Sequence, residues 1–382
     1  MRLELASMRL NSVKRVGAAA ALVLATALLA SAQNPAQLDG KTAEQAFKNI
    51  QVLKGIPADQ VFPTMRFIRD SLGGVACTFC HDGDDRASDA KPQKQMARKM
   101  IAMEMAINKD TFNGGVAVTC YTCHRGAAEP VGTPVISDEA PAAPPANAQA
   151  PAAPTADQIL AKYIDALGGE QALRKVTSRV ITGTLDLPAA AGTPGAHVQM
   201  EFDAKAPNLM LLAMPGANGT ASNGFDGASA WTQDNRGRVT EATGTDLGRA
   251  KRDSDFYQPL DLKQQYDRLA VRGSEKIGAH NTYHVVAFPK GDNPEQLYFD
   301  TQTGLLVRRI VVQSTALGDD PTYLDYDDYR DAGDGVKVPF LVQSYVMTQR
   351  TVTHVQKVQD NVAIDGGKFS KPAPKAAPAA GQ

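Results

Sequence analysis

The sequence predicts a two-domain chain, α followed by α+β: a small helical module, a Pro/Ala-rich linker, then a curved, half-barrel-like antiparallel β-sheet with one or two helices. Three observations carry this. Apolar residues recur with helical spacing before residue 127 and alternate after residue 155. Between those points Pro and Ala recur with hardly any large apolar residue. Strands and helices do not alternate in the rhythm of a parallel sheet. A chain of 382 residues is long enough for two separate cores. Its 40 basic and 41 acidic residues leave a net charge of -1, so no global field draws it to nucleic acid or to an acidic membrane.

Residues 1–32 read as an export signal. Lys14 and Arg15 precede an apolar run from Gly17 to Ala30, and Ala30-Ser31-Ala32 offers the small residues a signal peptidase needs. The run is shorter than the roughly 20 residues a membrane helix requires, so the mature chain is expected to begin near Gln33; Met8 serves equally well as the start. No Cys follows the run, so no lipid-modified N-terminus is expected. The expected location is the periplasm or cell envelope.

The first module, residues 33–126, is helical. Thr42 is placed to cap a helix running through Ile50 and Leu53, and Pro57 sits at the start of the next, where its missing N–H costs nothing. Val61, Met65, Ile68 and Leu72 then form one face until Gly73-Gly74 stops the helix. Pro92 opens a third helix in which Met96, Met100, Met103 and Ile107 share a face, closing before Asn113-Gly114-Gly115. Residues 127–155 are too poor in apolar side chains to offset the entropy of ordering and read as a semi-extended linker. Residues 371–382 read as a disordered tail of the same kind.

In the second module, residues 156–370, a helix from Ala156 to Leu167 precedes strands at Arg179 to Leu187, Gln199 to Leu212, Thr282 to Phe288, Leu297 to Val312 and Phe340 to Met347. Turns are expected at Asn223-Gly224, Thr303-Gly304 and Asp334-Gly335, and a helical stretch near Leu260 to Leu269.

All four cysteines lie in two motifs of one pattern, Cys77-Thr78-Phe79-Cys80-His81 and Cys120-Tyr121-Thr122-Cys123-His124. This is the signature of c-type haem attachment. Two thiols must add across the vinyl groups of one porphyrin edge while the following His swings under the ring to bind iron. A shared structural zinc would leave both histidines without a reason. Two disulfides, each across so short a step, would constrain almost no chain entropy. A thioredoxin-like pair would want a βαβ context. Two c-type haems are therefore expected, with His81 and His124 as axial ligands.

The opposite axial position separates electron transfer from ligand chemistry, because a Met thioether there raises the potential and leaves no open site. Met65 lies twelve residues before Cys77 and Met100 twenty before Cys120. Either is equally readable as core filler, and Met96 or Met103 replaces Met100 by one helical turn.

The stretch from about Phe47 to Gly126 resembles one half of the cytochrome c subunit of bacterial photosynthetic reaction centres. The resemblance is carried by both cysteine motifs, Ala97-Arg98-Lys99-Met100, Ala106-Ile107-Asn108 and Val118-Thr119 through Arg125-Gly126. It implies that a helix-borne Met precedes each motif and binds its iron, which places the ligands at Met65 and Met100. It further implies single-electron transfer with a donor and an acceptor protein, such as a membrane-bound reaction centre or respiratory complex. The chain departs from that family in having one half instead of two, and in lacking the crossover His between Asp110 and Thr119.

The basic cluster Lys91, Lys94, Arg98 and Lys99, with Arg125, reads as propionate or partner contacts or as a solvated face. In the second module His197, His280, His284 and His354 are scattered through strands, and His280 and His284 share a face. Asp325, Asp327, Asp328, Asp331 and Asp334 read as a solvated turn around Gly335, not as a calcium loop. Tyr298-Phe299-Asp300-Thr301-Gln302-Thr303-Gly304-Leu305-Leu306 and Leu167-Gly168-Gly169 loosely resemble the periplasmic lipoprotein-carrier superfamily, which implies an antiparallel half-barrel over helices with an apolar concavity. The expected function is an envelope electron carrier and not an enzyme. The alternatives are a dihaem peroxidase-like enzyme, or a binding protein whose second domain docks a partner, an apolar ligand or a membrane surface.

Overall fold

The computed structural model describes residues 38–130 and 154–373, apart from 39, 84, 190–194, 334 and 348. The expected signal at 1–32, most of the expected linker and most of the expected tail lie outside the described residues.

The helical module holds α1 (Ala43–Ala46), α2 (Val61–Ser71), α3 (Pro92–Thr111) and α4 (Cys120–His124). Thr42 stands at the N-cap of α1, where its N–H donates to Gln45 Oε1 at 3.0 Å, but the helix makes one turn and does not run to Leu53 as expected. Asn49 takes a left-handed φ of 61°, and its amide donates to Ala87 O at 2.6 Å and to Asp89 at 2.9 Å. Those distant acceptors pull the chain out of helix. Pro57 leads into a 3-10 turn before α2, Gly73 and Gly74 end α2 at positive φ, and Pro92 opens α3, as the sequence predicts.

The second domain opens with α5 (Ala156–Leu167) and α6 (Glu170–Lys175). Strands β1 (Ser178–Leu187), β2 (Ala196–Lys205), β3 (Leu209–Gly216), β4 (Gly219–Phe225), β5 (Ala230–Gln233) and β6 (Val239–Glu241) then step outward to one sheet edge. Helices α7 (Gly244–Asp253) and α8 (Gln258–Gln265) carry the chain to the opposite edge. From there β7 (Arg268–Ile277), β8 (His280–Phe288), β9 (Glu295–Asp300), β10 (Leu306–Thr315), β11 (Gly318–Asp331), β12 (Lys337–Val346) and β13 (Gln349–Asp360) step back to the centre. There β13 pairs with β1, which completes one 13-stranded antiparallel sheet.

Ile159, Leu160, Tyr163 and Leu167 of α5, with Phe256, Leu262 and Tyr266, pack on inward-facing residues of the sheet such as Ile181, Phe202, Val285, Leu297 and Phe299. The sheet's concave face is thus lined with the domain's own side chains. Charge is buried there too. Arg309, 2 % exposed, meets Glu295 at 2.7 Å and Asp253 at 2.8 Å. Glu295 also accepts from Tyr266 at 2.9 Å and pairs with Arg252 at 3.0 Å. Each of these charges has an opposite partner, as buried ions require, and the network ties α7 to β9 and β10.

Several expectations are corrected. Asn223-Gly224 is not a turn but lies inside β4, because a Cβ on Gly224 would come within 2.3 Å of the Trp231 ring on β5. The expected strand from Gln199 to Leu212 is two strands, broken at Pro207, which has no N–H to give a ladder. The Leu297 to Val312 stretch is likewise β9 and β10, turned at Gly304 with φ 78°. The helix near Leu260 is α8 and ends before Leu269, which belongs to β7. Asp325, Asp327, Asp328 and Asp331 lie on β11 instead of in a turn, with Asp325 in a two-bond pair with Arg308.

The two domains are packed together. The β10–β11 turn places Leu317, 1 % exposed, in one cluster with Leu53, Phe67 and Ile101 of the helical module. Ala316 N donates to Thr64 Oγ1 at 3.3 Å. The β12–β13 turn brings Met347 Sδ within 3.6 Å of Ser71 Oγ, and Gln349 donates to Gly73 O at 2.8 Å. Among the described residues no helix is long and apolar enough to cross a membrane.

Candidate haem sites

Each cysteine motif folds as a single turn of helix. Cys77–Phe79 is a 3-10 turn extended by His81 N donating to Cys77 O at 3.0 Å. Cys120–His124 is α4, capped by Thr119 with Thr122 and closed by Arg125 in the left-handed region. One turn puts two thiols three residues apart on the same side and the imidazole just beyond them. All four thiols are unpaired; Cys77 and Cys123 are exposed, Cys80 and Cys120 partly so.

Both histidines are oriented alike. His81 Nδ1 lies 3.2 Å from Arg86 O, and His124 Nδ1 lies 3.0 Å from Ala127 O. A carbonyl only accepts, so Nδ1 carries the hydrogen and Nε2 keeps a free lone pair, the arrangement an iron ligand needs. Burial, then the charges of Arg86, Lys94 and Arg98, push the His81 pKa down.

The segments that present these carbonyls are themselves held. Lys94 donates to Arg86 O, Ala87 O and Ser88 O at 3.0, 3.0 and 2.7 Å and pairs with Asp89 at 3.2 Å, while Arg98 pairs with Asp89 at 2.9 Å. Two members of the basic cluster thus clamp the loop after the first motif. At the second motif Gly126 N donates to Ser71 O at 3.0 Å, and Gly73 has no side chain because a Cβ there would lie 2.3 Å from Gly126 O.

Asn108 was readable only as part of a family resemblance. Buried on α3, it accepts from Ala117 N and Val118 N at 3.1 and 2.9 Å and donates to Val118 O at 2.6 Å, which fixes the strand of chain that enters Cys120. It also donates to Glu104 at 3.3 Å. Glu104 was not anticipated from the sequence. It is 5 % exposed and 3.8 Å from Cys120 Sγ. Burial pushes the Glu104 pKa up to about 7, and burial together with Glu104 pushes the Cys120 thiol up to about 12.

Neither Met65 nor Met100 is itself fully buried, although Val61 on the Met65 line is. On α2 the buried residues are Val61, Thr64, Phe67, Asp70 and Ser71, with Met65 half-buried at the edge of the Phe67 cluster that Cys120 also borders. On α3 Ile101, Glu104 and Asn108 are buried; Met100 is half-buried, Met96 and Met103 exposed. Core filler would be covered. Of the seven large apolar side chains left exposed among the described residues, six lie between Met96 and Tyr121. That concentration of uncovered apolar surface, on α3 and in the segment leading into and through the second motif, fits an apolar prosthetic group. Among the described residues no three of His, Cys, Asp and Glu converge as a metal-ion site.

A helical module with two such turns defines a c-type cytochrome. A family model described as photosynthetic reaction centre cytochrome C subunit matches residues 8–271. The chain belongs to that family. It is 33% identical over 90 residues to the photosynthetic reaction center cytochrome c subunit of Rubrivivax gelatinosus, covering 23% of this chain and 24% of that protein. It is 35% identical over 85 residues to cytochrome c-554 of Chloroflexus aurantiacus, covering 21% of this chain and 20% of that protein. The chain thus spans about a quarter or less of the length of these curated relatives. A solved LolA superfamily protein of Nitrosomonas europaea is similar over 57% of this chain and 99% of its own, with 12% identity and a TM-score of 0.42.

Proposed function

We propose that the protein is an exported dihaem c-type cytochrome of the periplasm or cell envelope that passes single electrons between a donor and an acceptor protein. Cys77, Cys80, His81 and Met65 would hold the first haem, and Cys120, Cys123, His124 and Met100 the second. When bound, each haem supplies a one-electron iron couple. The protein's own residues attach it, fix the imidazole and cover its apolar faces. The observation that carries this reading is the matched pair of histidines, each with Nδ1 held on a backbone carbonyl and Nε2 left free. Both motifs sit on one small module, and the Gly126–Ser71 hydrogen bond ties the second motif to the end of the helix that precedes the first. Relatives named for the reaction centre support a membrane-bound redox complex as one partner.

The test is made on protein matured in a host that attaches c-type haem. The expected result is a mass increase of two haems, a thioether-to-iron band in the oxidised spectrum, and no rapid carbon monoxide binding after reduction. Rapid binding would instead indicate an open iron and a peroxidase-like enzyme, and a colourless chain would refute the reading.

A further inference from the structure

The two sites share a donor set but not a surrounding. At the first, the carbonyl that accepts from His81, Arg86 O, also accepts from the Lys94 ammonium at 3.0 Å. Lys94 is held there by two further carbonyls, and its side chain is 11% exposed. Of the anions nearby among the described residues, Asp82 and Asp85 face solvent, and Asp89 is shared between Lys94 at 3.2 Å and Arg98 at 2.9 Å, so that it offsets the Lys94 charge only in part. At the second site a buried group of the opposite kind, Glu104, lies 3.8 Å from Cys120 Sγ.

The consequence for an iron bound to each imidazole has a definite sign. A histidine that donates strongly from Nδ1 gains imidazolate character, stabilises ferric iron and lowers its potential. A cation on the accepting carbonyl draws away that oxygen's electron density, weakens the donation and raises the potential. A half-buried positive charge also opposes the extra charge of the oxidised iron. Both effects act in the same direction at the first site.

We propose that Lys94 is a positioning residue for the first haem which, through the carbonyl it shares with His81, sets that haem's potential above the second's. This rests on the dihaem reading given above. An electron added to the fully oxidised protein then resides mainly on the first haem.

Spectroelectrochemical titration of the full holoprotein tests this, with haem content measured on every variant. Wild type is expected to titrate in two one-electron steps. Lys94→Gln shifts the upper step down and leaves the lower in place, whereas Lys94→Arg, which keeps the charge, restores most of the upper step. Asn49→Gly loosens the same loop without removing a charge, since Asn49 bonds Ala87 O and Asp89 from a φ that glycine accepts. It is expected to leave both steps unchanged. The proposal is overturned if Lys94→Gln moves neither step or only the lower one, or if Asn49→Gly lowers the upper step as far as Lys94→Gln does. If Lys94→Gln does not mature, Asp89→Asn takes its place and is expected to raise the upper step by removing an opposing anion; a fall or no change overturns the proposal. Loss of haem from wild type would instead fail the dihaem reading itself.

Discussion

At the scale of single residues, the haem sites depend on side chains that reach backbone as much as on the ligands. Asn108 satisfies two N–H groups and one carbonyl of the chain entering Cys120. Replacing it with Ala leaves those groups to find water in a partly buried place, at a cost of about 2 kcal/mol. The expected outcome for Asn108→Ala is a lower melting temperature together with incomplete attachment at the second motif, read by mass spectrometry as a fraction carrying one haem. Normal occupancy at both motifs would show that α4 is positioned without it. Such a role is hard to read from sequence, because the acceptor and donors belong to residues 117 and 118, and nothing in the residue type Asn distinguishes this place from a helix-end polar residue. The cysteines and histidines were legible because their chemistry fixes their spacing; Glu104 was not, since a Glu on a helix is by default solvated.

Among elements, those whose pattern answers to their own residues were legible: α2 between Pro57 and Gly73, α3 from Pro92, and α5, whose bounds match the expectation. Where a distant partner decides, the pattern misleads. Gly224 imitates a turn while making room for Trp231, and α1 stops because Asn49 is drawn to the loop at Ala87. The interface between α2 and β11 was equally invisible, and it carries a titration. Asp70 and Asp320, each 1 % exposed, meet Arg69 and Arg66 only at 3.5 Å, too long for good hydrogen bonds. Burial, opposed by Arg69, pushes the Asp70 pKa up from 3.8 to about 6, and burial, opposed by Arg66, also raises that of Asp320. The folded form therefore holds these protons more tightly than the unfolded chain. Their contribution to stability is full below the ordinary carboxylate range and is lost as pH rises through the folded pKa. Stability from this interface is expected to fall between about pH 4 and about pH 7. Asp70→Asn reduces that slope and stabilises the protein at neutral pH by no more than about 3 kcal/mol. Thermal melts across that range check it, and a slope unchanged in Asp70→Asn would exclude Asp70 as its source.

At the scale of the whole molecule, a Pro/Ala-rich segment between two composition blocks suggests beads on a string, yet the beads share a core. Leu317 of the sheet domain is as buried as Phe67, in the cluster that also holds Leu53 and Ile101. The turn carrying Gln349 grips Gly73; two residues earlier Ser71 holds Gly126, next to the Ala127 carbonyl that orients His124. The sheet domain thus reaches a haem histidine through three consecutive contacts, and unfolding either part removes support from the other. One calorimetric transition is expected for the full chain, with sheet signal and haem absorbance lost together. Leu317→Ala should cost about 2–4 kcal/mol, the usual loss for a leucine removed from a packed site. Leu317→Asp, which puts an unpaired charge among apolar side chains, should split the transition, the haem signal going first because the helical module loses the wall of its core. Two separate transitions in the unaltered chain would mean that the modules fold independently and that the β10–β11 turn merely rests against α2.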